Sequence, residues 1–459
     1  MTRFALDYAA PAERVTAKAR PLQARPRPGP PRGPYVVAGL GRAGRAAAGA
    51  LLASRPAEPV RGWDEAARPD LRAAGDELER AGAWVALGGD GRALLDLKPM
   101  PRCLVKSPGV PFSSPLIQVA LDRQLEVLDE AELGWRLDAR PLIGITGTNG
   151  KGTSAAAVCA ALNAGGLDPL LAGNTHFGPP LTASLSRRAD AIVAELSSFQ
   201  LAGSPALLPE ASLFTNIGQQ HWDYHGSKAA YVAAKRRMFI RGDRAVPTAS
   251  LNIDDPEGRQ LAVEIAERGG DVATYGRSAA ADYRILECAW SIDRARIRLR
   301  TPSGEFEFDT HLAGEHNALN LAGALALIEA LGLGSSATRG ALVAAAPPPG
   351  RFEPVQEGQP FSLIVDFAHN PEGVSAALSA GRPLVAPGGV LRALFAPLWV
   401  HDEDMRRATV RALCEHADEV VLTTQRWRVE EPSAPPPDAV DAAGTAGGCP
   451  YSVVAKRRA

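Results

Sequence analysis

The sequence contains few lysines and has no excess of charge of either sign. Its 50 lysines and arginines oppose 51 acidic residues, which gives a net charge of -1 at pH 7. No global field would therefore recruit a nucleic acid or an anionic membrane, and any anion must be held locally. Lysine occurs only at positions 18, 98, 106, 151, 228, 235 and 456. A lysine inside a motif is consequently informative.

Long apolar runs and a cysteine framework are also absent. No stretch approaches the roughly 18 to 20 apolar residues that span a bilayer, and residues 1–33 lack the apolar run of a secretory signal. The five cysteines are scattered and fit neither a disulfide framework nor a zinc site. We predict a reduced, cytoplasmic protein that binds no nucleic acid and no membrane, with a monomer as the expected state.

The length and the alternation of segments predict a chain of several α/β domains. At about 150 residues per domain, 459 residues suggest about three. Apolar runs alternate with Ala/Leu-rich helical stretches, which favours parallel sheets with helices on their faces. The predicted parts are a Pro/Arg-rich flexible extension (1–33), a Rossmann-like domain (34–139), a central P-loop-type ATPase domain with a parallel sheet (140–346), and a short C-terminal Rossmann-like domain (347–459). Residues 431–450 are predicted to form a loop.

A glycine-rich turn follows the first apolar strand, with glycine at 39, 41 and 44. Backbone N–H groups at such a turn can hold a phosphate or diphosphate, and Asp64 could reach a ribose hydroxyl. The pattern is also found in tight strand-to-helix turns that bind nothing. It also occurs in NAD-dependent dehydrogenases, but that interpretation leaves the next motif unused.

A second glycine-rich loop, GITGTNGKGTS, spans Gly144–Ser154. Its amides can surround the phosphates of a nucleotide, Lys151 can neutralise their charge, and a hydroxyl of Thr153 or Ser154 can reach Mg²⁺. The spacing departs from a strict P-loop because Gly152 separates the lysine from the hydroxyl. A nucleotide site is still the favoured interpretation.

The segment TGTNGKGTS resembles the ATP loop of the Mur ligase family, which includes the peptidoglycan amino-acid ligases and the folylpolyglutamate synthases. Other segments, in order over residues 35–432, are most similar to the members that add D-glutamate to UDP-N-acetylmuramoyl-L-alanine. These segments are Lys106–Pro111, Ala194–Leu201, Thr215–Ile217, Gln219–His225, Tyr231–Lys235, Asn252–Asp255, Gly314–Asn320, Gly350–Phe352 and Asp366–Pro371. Their joint occurrence is more specific than any one of them.

The resemblance implies an ADP-forming ligase with an acyl phosphate intermediate, with UDP-N-acetylmuramoyl-L-alanine and glutamate as substrates. It implies ATP and two Mg²⁺ ions as cofactors. The implied catalytic residues are Lys151, Glu195, His221 and Lys235, and the implied metal ligands are Thr153, Glu195, His221 and a carbamylated Lys235. Read alone, these residues allow other interpretations: Glu195 could cap a helix, His221 could face solvent, and Lys235 could lie on the surface of a basic helix.

The resemblance also implies two sets of binding residues. Those for ATP are Gly147, Thr148, Asn149, Gly150, Lys151, Gly152, Thr153, Ser154, Asn252, Asn317, Arg351 and Asp366. Those for the UDP-substrate are Gly39, Leu40, Gly41, Arg42, Asp64, Ser107, Pro108, Gly109, Asn174, Ser198 and Gln200.

The C-terminal domain departs from the D-glutamate pattern. Those members carry a Ser-Lys-Ala-Thr-Asn type run whose lysine and threonine face the glutamate carboxylates, whereas this chain has Phe367–Pro371, FAHNP, as in other Mur ligases and folylpolyglutamate synthases. The segment Thr424–Pro432 is similar to a late segment of the Mur ligases that add the third amino acid.

Three functions therefore stay open. They are a glutamate-adding ligase, a ligase for another amino acid or acceptor, and a non-catalytic nucleotide-binding paralogue. A folylpolyglutamate-type enzyme is disfavoured, because those enzymes lack a preceding domain of about 100 residues.

Overall fold

The computed structural model describes residues 22–175, 177–396, 403–423 and 451–454. Strands and helices alternate along the chain and form mostly parallel sheets, which confirms the predicted α/β class. In this part of the chain, no helix is both long and apolar enough to traverse a bilayer. The predicted loop at 431–450 and the segment at 424–432 lie outside the described residues.

The first unit, Tyr35–Leu137, has five parallel strands in the Rossmann-like order β3-β2-β1-β4-β5. Its elements are β1 (Tyr35–Ala38), α1 (Arg42–Ser54), β2 (Val60–Asp64), α2 (Pro69–Arg80), β3 (Trp84–Leu87), β4 (Cys103–Lys106), α3 (Pro115–Asp122), β5 (Glu126–Asp129) and α4 (Glu130–Leu137), with a 3₁₀ turn at Arg92–Leu95. Side chains alternate across a strand, so Tyr35 and Val37 enter one apolar cluster and Val36 and Ala38 enter another. Both faces of the sheet are therefore covered.

The central unit, Leu142–Val343, contains a nine-stranded sheet in the order β16-β15-β14-β13-β12-β9-β6-β8-β7. Its elements are β6 (Leu142–Thr146), α5 (Lys151–Ala164), β7 (Pro169–Gly173), α6 (Leu181–Ser184), β8 (Ala191–Glu195), α7 (Ser198–Ala202), β9 (Ala211–Phe214), α8 (Trp222–His225), α9 (Lys228–Arg236), β10 (Ile240–Arg241), β11 (Arg244–Ala245), β12 (Thr248–Asn252), α10 (Pro256–Glu267), β13 (Asp271–Gly276), β14 (Tyr283–Trp290), β15 (Ala295–Thr301), β16 (Gly304–Thr310), α11 (Glu315–Ala330) and α12 (Ser336–Val343). The sheet is parallel from β7 to β14, but β14, β15 and β16 pair antiparallel. This edge differs from the predicted parallel sheet because short turns can join only antiparallel neighbours.

The third unit, Glu353–Val454, has a smaller core. Its elements are β17 (Glu353–Val355), β18 (Leu363–Val365), α13 (Pro371–Gly381), a 3₁₀ turn (Arg382–Leu384), β19 (Arg392–Phe395), α14 (Glu403–His416), β20 (Glu419–Thr423) and β21 (Tyr451–Val454). Strands β19, β20 and β21 are parallel, whereas β17 and β18 form a separate antiparallel pair. Each large sheet lies inside one predicted domain range, and the exact boundaries stay predictions.

The carboxyl ends of four adjacent strands of the central sheet meet at one edge. Thr146 ends β6, Glu195 ends β8, Phe214 ends β9 and Asn252 ends β12. Ligands of open parallel sheets bind outside this edge. The fold therefore brings the loops that follow these four strands to one place.

Helix α4 fastens the first unit to the central unit through buried carboxylates. Glu130 Oε1 accepts hydrogen bonds from both the backbone N–H and the hydroxyl of Thr182, each at 2.6 Å. Glu132 Oε2 accepts from the backbone N–H of Leu207 at 2.7 Å. Neither carboxylate is exposed, and burial raises the pKa of Glu130 to about 7. Because unpaired buried carboxylates are costly, these bonds fix the two units to each other.

The segment 22–33 is packed against the other units, so the prediction of a flexible extension is wrong for these residues. The guanidinium of Arg27 donates to the carbonyl oxygens of Trp135 and Asp138, at 2.8 and 2.5 Å, and pairs with Glu210 at 3.4 Å. The Arg27 and Glu210 side chains are only 6% and 4% exposed. The physical reason is that arginine offers five donors, which can satisfy the free carbonyls at the end of α4.

Replacing this arginine should destabilise the protein. We expect Arg27→Ala to lower the free energy of unfolding by about 3 kcal/mol, because it leaves the buried Glu210 carboxylate without its cation. Urea unfolding would measure the change. Arg32→Ala, at an exposed arginine of the same segment, is the matched control. Equal stability of Arg27→Ala and the wild type would contradict the packing described here.

Candidate active site

The loop between β6 and α5 has glycine where side chains cannot fit. Gly147 and Gly150 adopt φ angles of +149° and +86°. A Cβ would lie 1.8 Å from Thr215 Oγ1 at Gly147 and 2.1 Å from Asn320 Oδ1 at Gly150. The loop can therefore pass close to its neighbours and lead directly into α5, whose first N–H groups can bind an anion.

Two lysine amines converge on this loop. Lys151 Nζ donates to the carbonyl oxygens of Gly147 and Thr148 at 3.1 and 2.8 Å, and Lys235 Nζ donates to the same Gly147 oxygen at 2.7 Å. Burial lowers the pKa of Lys151, and burial together with the nearby Lys151 charge lowers the pKa of Lys235 well below its usual value. Lys235 is 3% exposed, which excludes the surface-lysine interpretation.

Glu195 lies at the end of β8 beside these lysines. Its side chain is largely buried, and Asn174 Nδ2 donates to its Oε1 at a long 3.4 Å. The following helix, α7, is capped by Ser197 and Gln200 rather than by Glu195. The helix-cap interpretation of Glu195 is therefore wrong. Gln200, a predicted substrate-binding residue, has a buried structural role in this cap, because its Oε1 accepts a hydrogen bond from the Ser197 backbone N–H at 3.0 Å.

His221 adopts a left-handed conformation, with φ of 58°, at the start of α8. Its ring centroid lies 4.5 Å from that of Phe199. Burial, followed by the charges of His369 and Lys235, lowers the pKa of His221 to about 3. The imidazole is therefore neutral at neutral pH, and its unprotonated ring nitrogen can contact a cation.

The four predicted catalytic residues line one cavity of about 180 Å³. It is bounded by Thr148, Asn149, Gly150, Lys151, Gly152, Asn174, Ser198, Glu195, His221, Lys235 and Arg351, among others. The structure thus brings together groups that are far apart in sequence: one carboxylate, the two imidazoles of His221 and His369, two amines and a guanidinium.

A neighbouring cavity shares the loop and holds most of the other residues predicted for ATP, although Gly147 and Ser154 are not in its lining. It is lined by Asn149, Gly150, Gly152, Thr153, Asn252, Asn317, Arg351 and Asp366. Of the two candidate hydroxyls, Thr153 faces this cavity, whereas Ser154 is fully buried. Sequence reasoning did not assign Tyr275 and His316, which also line it.

A third cavity, of about 630 Å³, lies at the glycine turn of the first unit. It is lined by Gly39, Gly41, Arg42, Asp64, Ser107, Pro108 and Gly109. Leu40 is buried, and its backbone N–H donates to Asp64 Oδ2 at 2.7 Å. A Cβ at Gly44 would lie 1.7 Å from the Gly39 carbonyl oxygen, so glycine is needed where α1 meets the turn.

Tyr231 is a site residue that sequence reasoning missed. Its hydroxyl lies 2.8 Å from Thr148 Oγ1, and the residue is fully buried. The available signal was its spacing, since residues four apart share one face of a helix and Tyr231 precedes Lys235 by four. One face of α9 therefore contacts two consecutive residues of the loop: Lys235 contacts Gly147, and Tyr231 contacts Thr148.

Comparison with known proteins gives consistent matches. The model of the Mur ligase middle domain matches residues 145–328, and that of the Mur ligase glutamate ligase domain matches residues 350–459. UDP-N-acetylmuramoylalanine--D-glutamate ligase of Geobacillus kaustophilus (strain HTA426) is 34% identical over 359 residues, 78% of this chain and 76% of the relative. The enzyme of the same name from Geobacillus sp. (strain WCH70) is 34% identical over 65% of this chain and 63% of its own length.

Solved structures share the fold at lower identity. UDP-N-acetylmuramate-alanine ligase from Thermotoga maritima has a TM-score of 0.56 and 19% identity, covering 92% of this chain and 90% of its own. MurF from Acinetobacter baumannii has the same TM-score and identity, covering 81% and 79%. The likeness extends over all three units.

Proposed function

Because the chain belongs to the Mur ligase family of ATP-dependent ligases, we propose that it joins glutamate to the carboxylate of UDP-N-acetylmuramoyl-L-alanine. The observation that carries this proposal is the convergence of Lys151, Lys235 and Glu195 in one buried cavity. A phosphoryl group passing to a carboxylate gathers negative oxygens, and a fixed cation such as Lys151, together with metal ions held by groups such as Glu195, must offset that charge.

The side chains around the cavity suit Mg²⁺ bound together with nucleotide phosphates. Among the residues that the structure describes, no group of three or more His, Cys, Asp or Glu could hold a metal unaided. Mg²⁺, however, usually takes one or two carboxylates and completes its shell with phosphate oxygens and water. Glu195 and His221, which line the reaction cavity, would supply a carboxylate and a neutral imidazole, and Thr153, which lines the neighbouring cavity, would supply a hydroxyl. Bound there, Mg²⁺ would neutralise charge on the phosphates.

Lys235 would complete the donor set as a carbamate. Burial and the nearby Lys151 charge lower its pKa, which favours the unprotonated amine, and an unprotonated nitrogen can bond to the carbon of CO₂ with release of one proton. The product carries a carboxylate-like group in place of a cation. It also keeps one N–H, which can continue to donate to the Gly147 carbonyl.

The proposed reaction has two steps. A substrate carboxylate oxygen bonds to the γ-phosphorus of ATP and ADP leaves; the amine of the amino acid then bonds to the acyl carbon, and phosphate leaves as the amine loses a proton. Lys151 and the amides at the start of α5 offset the charge of the transferred group. Holding both reactants in one cavity replaces an encounter in solution.

The identity of the amino acid has a second candidate. The named relatives use D-glutamate, but Phe367–Pro371 lacks the lysine and threonine expected to face it. Two side chains of this run instead contact the central unit: Asn370 at Asn149 and His369 at Gln220. This observation favours, as the alternative, a ligase of the same type for another amino acid.

A coupled assay tests both candidates. Purified protein with ATP, Mg²⁺ and UDP-N-acetylmuramoyl-L-alanine should release phosphate only after an amino acid is added. D-glutamate, L-glutamate and the other amino acids would be compared, with a folate acceptor as an alternative first substrate. Release with D-glutamate supports the first candidate and release with another amino acid supports the second. No turnover with any of them would contradict both and favour a non-catalytic paralogue.

A further inference from the structure

The start of α13 in the third unit is fastened to the central unit by polar contacts. Glu372 Oε1 accepts a hydrogen bond from the backbone N–H of Gln219 at 3.0 Å. Nε2 of His369 lies 2.6 Å from Nε2 of Gln220. Both contacts fall on the segment that leads from β9 to His221, so the third unit lies directly against the wall of the reaction cavity.

Asn370, between these two residues, makes the most specific contact. Its Nδ2 donates to Asn149 Oδ1 at 3.0 Å, and Asn149 Nδ2 donates back to Asn370 Oδ1 at 3.1 Å. Asn370 is completely buried. Two amides that satisfy each other in a buried position lose both hydrogen bonds if their units separate.

Asn149 belongs to the phosphate loop, and its backbone is already fixed by other groups. Its N–H donates to Asn216 Oδ1 at 2.9 Å, and its carbonyl accepts from Thr215 Oγ1 at 2.6 Å. The side chain of Asn149 therefore projects from an immobilised part of the loop. Any group that pairs with it is placed relative to the phosphates that the loop would hold.

We propose that Asn370 is a positioning residue, whose reciprocal amide pair with Asn149 couples closure of the third unit to the arrangement of the phosphate loop. This inference rests on the proposed function, because the ligand that the loop would hold is a nucleotide. Asn370 also has a purely structural role, since its Oδ1 accepts from the Gly373 N–H at 2.8 Å and caps α13. A test must separate the cap from the pair.

The substitution Asn370→Ser removes the amide pair with Asn149 but keeps the cap of α13. Serine caps a helix about as well as asparagine, but its side chain is too short to pair with Asn149. We expect kcat for phosphate release to fall about ten-fold, the effect of losing a hydrogen bond that exists only in the closed state, with an unchanged unfolding temperature. Asn370→Asp keeps the cap and the size but, when ionised, cannot donate to Asn149 Oδ1, and it should lose activity similarly.

Two further measurements make the result specific. Small-angle X-ray scattering with a non-hydrolysable ATP analogue and Mg²⁺ should show a decrease in the radius of gyration for the wild type and a smaller decrease for Asn370→Ser. Combining Asn370→Ser with Asn149→Ser should cost no more activity than Asn149→Ser alone, because the pair is already broken. Ser335→Ala, which removes the cap of α12 far from the cavity, should lower the unfolding temperature without affecting kcat or compaction.

The outcomes distinguish this inference from the proposed function. If Asn370→Ser and Asn370→Asp keep wild-type kcat and compaction, Asn370 only caps a helix and the inference is overturned. If the wild type fails to bind the ATP analogue by calorimetry, the proposed function fails and this inference fails with it.

Discussion

Lys151→Ala is expected to lower the rate of ATP-dependent phosphate release by about a thousand-fold, the upper range for the loss of one preorganised charge-stabilising group. Lys151 Nζ lies 2.8 Å from the Thr148 carbonyl oxygen and belongs to the loop that would surround the triphosphate. Its lowered pKa shows that the amine is held in a poorly solvated site, where a bound anion would favour the charged form. Initial rates at saturating ATP and amino acid measure the effect.

The control for this variant is another lysine. Lys228 is exposed at the start of α9, and Lys228→Ala removes the same charge from the same unit. It should keep the wild-type rate. A Lys151→Ala protein that retained a tenth or more of the activity would remove the central support for phosphoryl transfer at this loop.

Lys235→Ala is expected to lower the same rate by about a hundred-fold or more, because it removes the proposed carbamate and its negative charge from the cavity. Added bicarbonate should not restore the activity, since the variant has no amine to modify. The structural reason for choosing this lysine is its burial beside Lys151, which lowers its pKa well below the usual value.

Carbon-13 NMR provides a readout that is independent of activity. A protein supplied with ¹³C-bicarbonate at pH 7 should show a carbamate carbon signal in the wild type and in Lys228→Ala, and none in Lys235→Ala. The lowered pKa gives the direction of the pH dependence. The unprotonated amine is the form that reacts with CO₂, so a lowered pKa moves carbamate formation towards lower pH, and the signal should weaken as the pH falls. A fully active Lys235→Ala would rule out the carbamate role.

The parts of the site that could be predicted from sequence are local motifs at strand ends. The glycine loop follows β6 directly, and Glu195 is the last residue of β8. Parallel strands bring such ends to one edge, so a motif and a strand pattern suffice to bring them together. The α/β class followed from the same alternation of strands and helices.

The contacts that were missed join residues far apart in the chain. The Lys235 amine reaches the Gly147 carbonyl across 88 positions, and Arg27 reaches Glu210 across 183. The composition of residues 22–33 does not indicate that Arg27 donates hydrogen bonds to several carbonyl oxygens at the end of α4. A proline-rich segment without such an anchor would have the flexibility that the sequence suggested.

The acidic run at the start of α4 was missed for a related reason. Acidic residues in the first turn of a helix usually face solvent and favour the helix dipole. Here Glu130 and Glu132 are buried, because their acceptor oxygens meet N–H donors of the central unit.

That burial limits how the protein can be rebuilt from parts. A chimera that took its first unit from another ligase and changed chains near residue 139 would need to bring matching acids to Thr182 and Leu207. If the other ligase had apolar side chains at these positions, the backbone N–H groups of Thr182 and Leu207 would be buried without an acceptor. If its acidic residues were placed differently, the chimera would bury a carboxylate without a hydrogen-bond partner. The first unit and the central unit would therefore have to be exchanged together, as one block.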